Sequence, residues 1–72
     1  MDAYENLANA IIVQACKDYR AALKSLQKNP DYWKAQGVKK ECELFFRSAW
    51  FQALTPIDAE WLIQKLQQEV MK

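Results

Sequence analysis

Between Ala3 and Lys28 the chain contains neither glycine nor proline, an uninterrupted run long enough for about seven helical turns. Leu7, Ile11, Ile12, Ala15, Tyr19, Ala22, Leu23 and Leu26 recur along it at steps of three and four. A helix with that spacing carries one apolar face, which needs a partner to cover it. The rest of the chain is almost as free of breakers, with one glycine, Gly37, and two prolines, Pro30 and Pro56. No segment alternates apolar and polar residues in the manner of a strand, so the expected class is all-α.

The two prolines divide the remaining chain. Proline disfavours helix in the residue before it and suits the first turn of the next, so Asn29 is expected to cap a second helix over about 30–53, with Asp31 near its positive end. Ala35, Val38, Cys42, Phe45, Ala49 and Ala53 form one stripe there, and Phe46, Trp50 and Leu54 a neighbouring one. Gly37 costs about 1 kcal/mol relative to alanine if helical, which makes a start after it the alternative. Thr55-Pro56-Ile57-Asp58 has the order of a capped helix start, with threonine as cap and an acid three residues on. A third helix is expected over about 56–70, burying Ile57, Trp61, Leu62, Leu66 and Val70.

With 72 residues, 51% of them hydrophobic, the chain is expected to be a single domain, a compact three-helix bundle. A core this small leaves a thin stability margin, and self-association is the expected supplement.

Residue inventory sets aside most chemistry. Nucleophilic and acid–base sites lean on histidine, and the chain has none. Glu41 and Glu43 diverge on a helix, and one glycine cannot make a phosphate-binding loop. No enzyme activity and no cofactor are expected. Without histidine or a CxxC pair, no zinc site is expected either, and Cys16 and Cys42 read as buried free thiols. The first residues lack the basic start and apolar run of a secretory signal, and no stretch is apolar enough to span a membrane. The expected location is cytoplasmic.

Charge is distributed unevenly. The total of +1 conceals a basic middle, where Lys17, Arg20, Lys24, Lys28, Lys34, Lys39 and Lys40 face only Asp18 and Asp31, between two acidic flanks. On a helix, Lys17, Arg20, Lys24 and Lys28 share a face. That face is open to two interpretations, an anion-binding stripe or a solvated surface that complements the helix dipole. A helix–turn–helix reading of the last two helices is opposed by Asp58, Glu60 and Glu69, which would repel phosphate. Phe45, Phe46, Trp50 and Phe51 crowd four aromatics into seven positions, more than one core face accepts, so part of this segment is expected at an interface. The candidate binding residues are Lys17, Tyr19, Arg20 and Lys24 on the first helix and Arg47, Trp50 and Phe51 on the second.

The runs NAIIVQACKDYRAALKSLQKNP and FFRSAWFQALTPIDAEWLIQKL resemble small uncharacterised helical proteins encoded by phages and integrated mobile elements of Firmicutes. The resemblance spans nearly the whole chain and is most specific at Lys17-Asp18-Tyr19-Arg20 and from Phe46-Arg47-Ser48 to Thr55, with Ile57 and Asp58 beyond. Ala59 stands where that pattern would place a glycine. The resemblance implies an accessory protein of a bacterial host's cytoplasm that acts by binding. The first expectation is a counter-defence inhibitor of a host protein or signal, working as a homodimer or higher oligomer through its aromatic face. The alternative is a nucleic-acid-associated or regulatory factor using the basic stripe, and a structural adaptor without a ligand is the third.

Overall fold

The structure is a computed structural model that describes residues 3–71, with side chains from Leu7 onward. Four helices follow one another: α1 (Ala3–Lys28), α2 (Trp33–Phe46), α3 (Ala49–Leu54) and α4 (Ala59–Val70). The all-α class and the bounds of α1 are as expected; the count is four rather than three. At 1.5 Å per residue α1 runs about 39 Å, which matches the 41 Å long axis of the molecule. It is the spine on which α2 and α4 lie.

The turn after α1 differs from the expectation. The Tyr32 amide donates to Asn29 O at 3.1 Å, closing a turn over Pro30 and Asp31. The Asn29 side chain accepts from the Asp31 amide inside that turn and is not the cap. α2 therefore starts at Trp33, behind Tyr32, which makes no side-chain cap bond. It runs through Gly37 rather than starting after it.

A larger departure lies at Arg47-Ser48, where the expected second helix breaks in two. The Ser48 hydroxyl donates to Phe45 O at 2.6 Å and accepts from the Phe51 amide at 3.1 Å. Ser48 thereby ends one helix and caps the next. The break has a packing cause. On a continuous helix Phe46 and Phe51 would stand about 140° apart and could not share one core. Across the break their rings meet edge-to-face at 5.6 Å, and Phe45 meets Phe51 at the same distance.

α4 also begins later than expected, at Ala59, with Asp58 rather than Thr55 as its cap; the Asp58 carboxylate accepts from the Glu60 amide at 2.9 Å. Leu62, Ile63 and Leu66 are its buried residues. Trp61 sits 100° round the helix from Leu62 and is exposed, as is Ile57 ahead of the helix, contrary to the expected buried face. The core closes around Tyr19 and Leu23 of α1, Cys42 and Phe46 of α2, Phe51 of α3 and the three α4 residues. Both cysteines are free; Cys42 is buried and Cys16 half-buried. Burial pushes the Cys42 thiol up to about 11.

Two substitutions separate local from tertiary stability. A Cβ built on Gly37 meets nothing within 4 Å, so Gly37→Ala is expected to raise unfolding stability by about 0.5–1 kcal/mol. Ser48→Ala removes the cap at the break and is expected to lower it by about 1 kcal/mol. Urea midpoints at a single low protein concentration read both.

Candidate interaction site

The seven candidate residues do not converge on one site. Lys17 and Lys24 stand exposed on the side of α1 opposite its buried residues. Arg20 leans toward α4 and pairs with Glu69 at 3.0 Å, which removes it from the stripe. Arg47 closes the end of α2 and grips Glu60 with two nitrogens, at 2.6 and 3.2 Å. That bond from Arg47 lowers the Glu60 carboxyl below its usual range. Both side chains are exposed, so the pair contributes little to stability.

Tyr19 and Phe51 are core residues: each is 0% exposed, and neither presents a surface to a ligand. The periodicity of α1 already placed Tyr19 on its apolar face, and the charged neighbours Lys17 and Arg20 obscured that. In the structure Tyr19 is a buried hub. Its hydroxyl donates to Glu43 Oε2 of α2 at 2.7 Å and accepts from Gln67 Nε2 of α4 at 3.0 Å. Lys39 completes the network with a 2.8 Å contact to the same Glu43 oxygen. Burial first, then the hydrogen bond to Glu43, pushes the Tyr19 phenol up to about 12. Burial opposes the charged form of Glu43, but the hydrogen bonds from Lys39 and Tyr19 outweigh it and hold the carboxyl below its usual range.

Trp50 alone among the aromatic candidates is open, at 58% exposure. Its ring stands edge-to-face on Phe45 at 5.7 Å. With Ile11, Ala15, Gln14 and Asp18 of α1, these two rings line a mostly apolar groove of about 330 Å³. The Gln14 amide donates to Asp18 at 2.9 Å, giving one wall of that groove a polar edge. Sequence reading expected part of the aromatic segment at an interface but did not place Ile11 and Ala15 beside Phe45 and Trp50, because the groove joins residues distant in the chain. A second groove of about 490 Å³ lies between α1 and α2, with Asp18 and Glu41 on its walls together with Lys34, Ala35 and Val38.

Comparison with protein-family models, with curated proteins and with solved structures found no match.

The Tyr19 hub makes stability depend on pH at both ends. An unperturbed phenol ionises near pH 10, so between pH 10 and 12 the native state keeps a proton that the unfolded chain has released. Its contribution is intact below pH 10 and lost as the pH rises toward 12, on the order of 2 kcal/mol in all. That of Glu43 is present above pH 4.5 and lost as the pH falls below it. Tyr19→Phe is expected to cost about 1–2 kcal/mol at pH 7 and to flatten the alkaline slope. Urea midpoints for both proteins from pH 7 to 11.5 are the measurement.

Proposed function

We propose that this chain is a non-catalytic binding protein, of the accessory kind encoded by phages and mobile elements, that occupies a host protein through the groove beside Trp50. The observation that carries this is Trp50 itself, a large aromatic left more than half open at the mouth of an apolar groove. Tryptophan is the side chain most enriched among binding hot spots, where it contributes most when a partner's surface excludes water around it. The groove is sized for one or two apolar side chains of a partner, and Asp18 and Gln14 supply a polar rim. The biological role that fits is inhibition of a host protein, counter-defence in particular.

A second reading uses the basic face of α1. It is favoured by Lys17, Lys24 and Lys28, which are exposed and make no ion pair among the described residues. Pairing of Arg20 with Glu69 leaves three cations on that face. Three phosphate contacts give an affinity that falls with salt at a slope of only about −3, too weak for binding at physiological salt without further contacts. The protein-binding reading is the stronger for that reason.

Trp50→Ala removes a mostly exposed side chain and is expected to cost the fold no more than about 1 kcal/mol. In a bacterial host whose defence the wild-type protein suppresses, phage plating is expected to fall back to the fully defended level with Trp50→Ala and to stay high with Lys17→Glu/Lys24→Glu. The reverse pattern, joined to a mass shift on a short duplex at low salt only, would replace this reading with the second. Circular dichroism of each variant confirms that it is folded.

A further inference from the structure

α2 has a second exposed surface that neither reading uses. Its inner side buries Ala35, Cys42 and Phe46. On the outer side, Trp33, Gly37, Lys40 and Leu44 follow one another at steps of four, three and four, all exposed, with Trp33 at 71% and Leu44 at 60%. That is the spacing of a heptad seam, the strip by which one helix lies along another. Gly37 falls in the middle of it. Nothing in the fold requires glycine there, since its missing Cβ would point into open space and its backbone is ordinary helix.

We propose that this strip is where a second copy of the chain docks, α2 against α2 and antiparallel. The charges beside the seam select the direction. In the antiparallel register Trp33 of one copy meets Leu44 of the other, and Gly37 meets Lys40, each contact occurring twice about the two-fold axis. Lys34 and Glu41 flank the seam on the same side, seven residues apart, and both are exposed. In this register Lys34 of each copy lies beside Glu41 of the other, so one positive and one negative flank per chain make two intermolecular ion pairs. A parallel arrangement would instead stack Lys40 on Lys40 and leave Lys34 and Glu41 without each other. Gly37 then has a use: its bare backbone leaves room for the aliphatic stem of the opposing Lys40, whose ammonium reaches water.

The inference does not depend on the Trp50 groove, which lies on α1, the end of α2 and α3. The contact is short, since α2 has 14 residues and spans about 21 Å. Association is accordingly expected at about 10–100 μM rather than nanomolar.

Sedimentation equilibrium at low salt tests the register. The wild-type mass is expected to rise with concentration from 8.4 kDa toward twice that value. Lys34→Glu or Glu41→Lys alone places like charges opposite each other and is expected to weaken association about tenfold, while the double charge reversal returns it to within about threefold of wild type. Trp33→Gln is expected to abolish it, and Trp50→Ala to leave it unchanged. A protein that stays monomeric to about 1 mM overturns the proposal. So does a dimer that the single reversals do not weaken, that the double does not restore, or that Trp50→Ala dissolves. Far-ultraviolet circular dichroism accompanies every variant, all of which alter exposed side chains.

Discussion

The Tyr19 hydroxyl is the point on which the rest of the architecture depends. It sits on the longest helix and is bonded to Glu43 of α2 and to Gln67 of α4, so one side chain sets the rotation of both shorter helices about α1. The ring beneath it meets Phe46 edge-to-face at 5.7 Å. In a chain of 72 residues apolar burial is limited and non-directional. A satisfied polar hub supplies the directionality. Among the described residues no buried side-chain polar atom lacks a partner, so the hub carries no desolvation penalty left uncompensated.

From that hub follows the break at Ser48. Once Tyr19 has placed Phe46 in the core, Phe51 reaches the same core only if the helix turns, and Ser48 supplies the hydrogen bonds that let it do so. The turn brings Phe51 in and leaves Trp50, one residue earlier, on the outside against Phe45. The groove beside Trp50 is thus a by-product of filling the core. Arg47, at the corner, ties the new direction to α4 through Glu60.

Three tryptophans in a small chain would ordinarily be read as core. Here Trp33, Trp50 and Trp61 are all exposed, the last at 57%, while Phe46, Phe51 and Tyr19 fill the interior. The surface therefore carries apolar rings on separate helices, and the lysines of α1 on a side of their own. Recognition by this protein, in the readings advanced above, is apolar and aromatic first, with charge setting direction and register.

What the sequence by itself determined was the helical class, the full extent of α1, and the positions where the chain changes direction near Pro30 and Pro56. These follow from local causes, the absence of breakers and the backbone restrictions of proline, and they do not depend on neighbours. The helix starts moved by a few residues, from Asn29 to Tyr32 and from Thr55 to Asp58, because the Asn29 and Thr55 side chains accept from the Asp31 and Ile57 amides inside the turns and the helices begin only beyond them. Only the tertiary structure decided which aromatics beyond α1 face inward, that Phe51 is core and Trp50 and Trp61 are not, and that Arg20 belongs with Glu69. Those choices rest on where one helix lies against another. A single helix with apolar residues on two sides is compatible with several rotations, and contact with α1 and α4 selects one of them.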